Sequence, residues 1–164
     1  MEPAASIPAL VAGQSYVVLE EEYPGHPVPR LGGVDRVELT RDRLLLVTPP
    51  AWGVDQLPDV AERAFALEPT TTPAGAWVVG LCRAAGFEPA VRCTSTDLQV
   101  HLGFVRAGVA AEVLPELAAR GHDAGVRCMD LPGRPERTIS TVTREGGRTR
   151  LATTAVIDAL RATC

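Results

Sequence analysis

The sequence predicts an α/β domain, and three stretches carry that prediction. The first is Arg92–Ala119, RCTSTDLQVHLGFVRAGVAAEVLPELAA, which reads as strand end, helix, strand and the start of another helix. Leu98, Leu102 and Val105 recur at helical spacing, while Gln99, Gly103 and Arg106 lie on another side. The second is TTTPAGAWVVGLCRAAGFEP, where Thr72 suits a helix cap, Pro73 the first turn and Gly86 the stop. The third is Leu44-Leu45-Leu46-Val47-Thr48, a continuous apolar run of the kind expected of a strand covered on both faces. Strands alternating with helices in this way make a layered α/β domain.

The remaining elements follow in order. Ser6 to Val11 reads as the end of a helix stopped near Gly13, and Tyr16 to Glu20 as a strand. Glu21 to Gly33, with three prolines and three glycines, is an irregular crossing. Arg36 to Leu39 and Leu44 to Thr48 are expected as two strands, the second ended by Pro49 and Pro50. A helical turn over Leu57 to Glu62 precedes a short strand, Ala64 to Leu67; Ala90 to Cys93 is the strand after the Thr72 helix. In the central stretch, Thr94, Ser95 or Thr96 offers a capping hydroxyl, and Asp97 sits in the first turn where the helix dipole favours a negative charge. Gly108 stops that helix and Val109 to Leu114 is a strand closed by Pro115. Glu116 to Arg120 begins a helical turn, Gly125 to Leu131 and Thr138 to Thr143 are strands, and Thr153 to Ala162 is a closing amphipathic helix.

Composition narrows the function. With 164 residues, 46% of them apolar, the chain has length for one domain or two small lobes. A net charge of −4 argues against a nucleic-acid-binding surface, although all sixteen basic residues are arginine. Cys82, Cys93, Cys128 and Cys164 form no C-x-x-C pair; the first three fall in apolar elements and are expected as buried free thiols. No apolar run approaches a membrane span and no basic-plus-apolar leader is seen, so a soluble cytoplasmic chain is expected. The acidic run Glu20-Glu21-Glu22 is expected to be solvated, and His26 and His122 fall in loops without partners at ligand spacing. No nucleophile elbow, P-loop or G-x-G-x-x-G occurs. Catalytic residues, metal ligands and cofactors are therefore not expected.

The series AGFEPAVRCTSTD, FVRAGVAAEVLP and ERTISTVTRE, followed by a closing helix, resembles the effector-binding domain of LysR-type transcriptional regulators. PALVAG and VELTRDRLLLVTPP at the front match the order of the same family. The chain departs from the pattern at Ala110, where the family has Gly, at Tyr16, where it has an acidic residue, and at Glu112, which interrupts a normally apolar strand. The resemblance implies an α/β, two-lobed, periplasmic-binding-protein-like fold. It implies a complete second lobe over residues 44–134 and a partial first lobe from residues 1–43 and 135–164, without the winged helix that reads DNA.

The resemblance also implies sensing of a small polar or anionic effector held between two lobes, in a homo-oligomer that makes no direct nucleic-acid or membrane contact. The alternative is a free-standing small-molecule binding protein with no role at promoters. In α/β lobes, ligands gather at strand carboxyl ends and helix N-termini. Thr71 and Thr72 stand at one helix start, and Thr94-Ser95-Thr96 at another; plain capping accounts for either equally well. By resemblance Thr48, Gly103 and Phe104 join Thr71 and Thr72 as effector-site candidates, and His101, one helical turn from Phe104, is a further candidate.

Overall fold

The computed structural model describes residues 3–120 and 125–163; His122 and Cys164 lie outside them. In chain order the elements are α1 (Pro3–Val11), β1 (Val18–Glu22), β2 (Val34–Thr48), β3 (Ala64–Leu67), α2 (Pro73–Ala84), β4 (Ala90–Thr94), α3 (Leu98–Arg106), β5 (Glu112–Pro115), α4 (Glu116–Ala119), β6 (Arg127–Asp130), β7 (Glu136–Arg144) and α5 (Leu151–Thr163). Short 3₁₀ turns occupy Pro50–Trp52, Leu57–Val60 and Gly147–Thr149. This is the expected mixed α/β fold. No helix among the described residues is long and apolar enough to cross a membrane.

The chain divides into two compact units. The first comprises Met1–Glu22, Pro27–Arg41 and Thr138–Cys164. Within it β1 runs antiparallel to β7, from Val18 opposite Val142 to Glu22 opposite Thr138. Leu10, Val18 and Val142 form its core, with Ile7 and Val34 against them, and α5 buries Ile157.

The second unit comprises Tyr23–His26 and Asp42–Arg137. Its part of β2 pairs antiparallel with β5 on one side (Leu44 to Val47 opposite Pro115 to Glu112) and with β6 on the other (Leu45 to Thr48 opposite Asp130 to Arg127). β3 runs parallel to β4, and a parallel bridge from Phe65 to Ala111 joins it to the start of β5. Leu44, Leu46, Phe65, Leu67, Trp77, Cys82 and Val113 belong to the main core of this unit. Leu45, Val47, Leu102, Val105 and Leu114 form a second cluster. The buried run Leu44–Thr48 thus has apolar cover on both faces, as the LLLVT pattern requires.

Local chemistry explains the helix ends. Thr72 caps α2: its hydroxyl accepts from Gly75 N–H at 3.1 Å and donates to the Pro69 carbonyl at 2.8 Å. Pro73 fills the first position, and Gly86 takes the left-handed conformation, φ 91°, that ends the segment.

Several expectations are corrected. The strand at the front is Val18–Glu22, two residues later than read, because Val18 is the side chain that reaches the core. The two strands expected at 36–39 and 44–48 are one strand, Val34–Thr48. The polar stretch Thr40–Arg43 stays extended because its side chains have fixed partners: Asp42 receives Arg137 and the Leu117 N–H, and Arg43 meets Glu116 and Asp130. The strand expected at 109–114 is Glu112–Pro115, and that expected at 125–131 is Arg127–Asp130. Asp97, not one of the hydroxyls before it, caps α3 by accepting from Gln99 N–H at 2.8 Å, while Ser95 Oγ accepts from Asp97 N–H.

Of the cysteines, Cys82 is a buried free thiol, Cys93 is half-buried and Cys128 is exposed. Cys128 lies outward because burial alternates along β6. The acidic run is only partly solvated, since Glu20 pairs with Arg36 (Nη2 to Oε1, 2.9 Å) and Glu22 accepts from Val28 N–H.

Candidate functional site

The parallel strands β3 and β4 both end on loops that lead into helices, the place where an α/β unit presents free backbone groups. Glu68 to Thr72 leads from β3 into α2, and Ser95 to Asp97 leads from β4 into α3. Ser95 N–H donates to the Leu67 carbonyl at 3.2 Å, which ties the two loops together. Below them lies a cavity of about 20 Å³, room for roughly one water. Its lining includes Tyr23, Glu68, Ala74, Trp77, His101 and Glu112.

The two helix starts differ in charge. At α2 the cap is neutral. Pro73 has no N–H, Gly75 N–H is taken by the Thr72 hydroxyl and Ala76 N–H by the Thr72 carbonyl, which leaves Ala74 N–H as the unspent donor of the first turn. At α3 the cap is the carboxylate of Asp97, and Val100 and His101 N–H both point at the Asp97 carbonyl. The cap at the first start thus carries no charge of its own, although Glu68 lies in the loop before it, whereas the cap at the second is a carboxylate.

His101 and Glu112 meet in the interior, 1% and 2% exposed. His101 Nδ1 is hydrogen-bonded to Glu112 Oε1, and His101 Nε2–H donates to the Ser95 carbonyl at 2.9 Å. The second carboxyl oxygen of Glu112, Oε2, is buried and has no partner among the described residues. Burial pushes the Glu112 carboxyl up to about 7. Burial opposes charge on His101, but the bond and charge of Glu112 outweigh it and hold the imidazole above its ordinary value. Among the described residues no group of three His, Cys, Asp or Glu could hold a metal ion.

The six residues singled out from the sequence are therefore placed as follows. Thr71 is exposed beside the α2 start, and Thr72 has its hydroxyl committed to the cap. His101 is inside, tied to Glu112, while Gly103 is exposed and Phe104 half-buried on α3. Thr48 is wholly buried, and its hydroxyl has no partner among the described residues. The register sets Thr48 one step beyond Val47, which is opposite Glu112; Ala111, the residue before Glu112, bridges Phe65. Thr48 is thus level with the beginning of β3, whereas Thr71 and Thr72 follow its end. The Ser95–Leu67 bond brings the segment leading to Thr71 and Thr72 beside the loop that His101 holds, while Thr48 lies level with the beginning of β3. Glu112 was visible in the sequence as a charge in an apolar strand and Asp97 as a charge at a helix start, whereas Glu68 carried no comparable signal.

The orphaned hydroxyl gives a direct test. A buried hydroxyl without a partner costs about 1–3 kcal/mol, so Thr48→Val should raise stability by about 1 kcal/mol in urea denaturation. A loss of stability would mean that the hydroxyl is satisfied in the folded protein.

The mixed α/β architecture, with parallel strands feeding helices, is a periplasmic-binding-protein-like fold. The chain belongs to the LysR substrate binding domain family, which matches residues 24–164. No curated protein matches it. Among solved structures it is similar to CbnR, a LysR family transcriptional regulator, at 22% identity and TM-score 0.73, covering 99% of this chain and 57% of that one. It is similar to the CcmR regulatory domain of Synechocystis PCC6803 in complex with 2-PG (14% identity, TM-score 0.75, 99% and 80% coverage). It is also similar to the effector binding domain of QuiR in complex with shikimate (17%, 0.71, 96% and 75%). Identities this low carry the fold alone, and the chain spans 57% of the length of CbnR.

Proposed function

We propose that this chain senses a small polar or anionic molecule as the effector-binding part of a LysR-type regulator, and that occupancy biases a DNA-binding partner. The reading rests first on the family match across residues 24–164. Two neighbours of the same fold are described with small molecules, 2-PG and shikimate, and shikimate is a carboxylate. The proposed contacts are Thr71 and the Ala74 N–H at the α2 start, where a neutral cap and an unspent donor favour an anion. Gly103 and Phe104 remain proposed contacts, whereas Thr48, expected as one from the sequence, is wholly buried and is not proposed as a contact. Thr72 contributes by holding the helix start in place, and His101 by holding the neighbouring loop through Ser95. Regulation of transcription by the whole protein, and assembly into a homo-oligomer, belong to the same proposal.

Calorimetric titration with a panel of small carboxylates, shikimate included, tests it. At least one should bind, with Thr71→Ala weakening it about tenfold, the loss of one hydrogen bond to a charged group, and leaving the melting temperature unchanged. Binding that is indifferent to Thr71→Ala would remove the α2 start from the site, and no binding across the panel would overturn the anion-sensing reading.

A further inference from the structure

The His101–Glu112 pair is the feature of this unit that effector sensing does not use, and its hydrogen bonds fix a proton count. The Ser95 carbonyl can only accept, so His101 Nε2 must carry a hydrogen. The Nδ1 to Oε1 bond then needs one more proton between two atoms that otherwise both present lone pairs. Whether that proton sits on nitrogen or oxygen, the pair holds it and is neutral overall. Remove it, and a carboxylate faces an imidazole lone pair in a buried site.

Among the described residues no arginine lines the cavity beside the pair to offset that loss. Glu112 Oε2 has no partner among the described residues. From the end of β3, Glu68 faces the pair and adds negative charge, which raises the proton affinity of both groups. The rest of the lining includes Tyr23 and the apolar Leu44, Ala74, Trp77, Val78 and Val113. A space of about 20 Å³ admits a single water, which cannot replace bulk solvation of a carboxylate. The same imidazole holds Ser95, at the loop that starts α3, to Glu112 on β5.

We propose that Ser95, His101 and Glu112 form a one-proton latch that holds the start of α3 onto β5 and releases it when the shared proton is lost. The latch does not depend on which molecule the domain senses. Its sense follows from proton binding. An unfolded chain releases the imidazole proton near pH ~6.5, whereas the folded pair, with both groups shifted upward, keeps it to higher pH. The stabilisation is complete below about pH 6.5 and is lost as pH rises through the folded value.

Amide hydrogen exchange of the folded chain across pH 5.5–9, normalised to unstructured-peptide rates, reads the latch directly. Protection of the Leu102 to Val105 amides should fall with a slope approaching tenfold per pH unit from about pH 6.5 up to the folded value of the pair, the slope of one proton, and level off above it. The ring resonances of His101 should move where the fall levels off. In Glu112→Gln the amide donates to a neutral imidazole without a titrating proton, so the profile should be flat. If that variant does not fold, the double variant His101→Leu with Glu112→Leu removes the pair without leaving a buried charge and should also be flat. The latch is overturned by a wild-type profile that is already flat, by a variant profile that falls like wild type, or by a His101 titration that does not fall where the loss of protection levels off.

Discussion

Asp42→Ala should cost about 3–5 kcal/mol of folding stability, the range for breaking a buried ion pair by removing one partner. Asp42 and Arg137 are 3% and 7% exposed. One carboxyl oxygen, Oδ2, accepts from Arg137 Nε at 3.0 Å and from Nη2 at 2.8 Å. The other, Oδ1, accepts from the Leu117 N–H at the start of α4, at 3.0 Å. A single carboxylate thus holds the two ends of the segment 42–137 together and supplies the first turn of α4. The alanine variant deprives a buried guanidinium of this carboxylate and leaves a backbone donor unmet, and each loss is expensive in a dry interior.

Urea denaturation measures the loss. Asp42→Leu combined with Arg137→Met should recover most of it, because apolar replacement of a buried pair is often neutral. A loss below about 1 kcal/mol for Asp42→Ala would show that Arg137 finds equal compensation elsewhere.

That pair also shows where a sequence stops being legible. Elements announced by local chemistry are where the sequence places them: Ala64–Leu67 by its short apolar run, and α2 by Thr72, Pro73 and Gly86. The break expected within β2 is absent because Thr40–Arg43 looks like a turn until its partners are known. Those partners, Glu116, Asp130 and Arg137, lie far along the chain and have no periodic signature.

The candidate site divides in the same way. The capping geometry of Thr72 and its neighbours follows from residues a few positions apart and could be anticipated. The His101–Glu112 pair spans two elements. Its only trace is that His101 lies on the buried stripe of α3 with Leu98, Leu102 and Val105, and Glu112 in an otherwise apolar strand. Two polar residues each placed where burial is expected need a partner, and in this chain they are each other's. The open helix start at α2 was legible, but the closed one at α3 was not. The Asp97 carboxylate was read as a first-turn charge, whereas it occupies the cap and turns an anion-accepting position into an anion-repelling one.

Phe65→Ala should be the most damaging apolar truncation, costing about 3–5 kcal/mol, the usual range for deleting a buried aromatic side chain. Phe65 is fully buried and packs against Phe87, with ring centroids 6.0 Å apart and planes tilted by 40°. Its strand has only four residues, yet it pairs with β4 on one side and with Ala111 on the other. The residues flanking Phe65 are Ala64 and Ala66, so no neighbouring side chain in the strand is large enough to swing into the space left behind. The hole would open in the buried cluster that Phe65 shares with Leu57, Val60 and Cys82. Phe65→Leu keeps most of the volume and should cost about 1–2 kcal/mol, so the difference between the two variants isolates the cavity contribution. Denaturant midpoints with an unchanged slope would report a pure stability loss. If Phe65→Ala costs less than about 2 kcal/mol, the packing around β3 collapses more readily than a strand paired on both sides should allow.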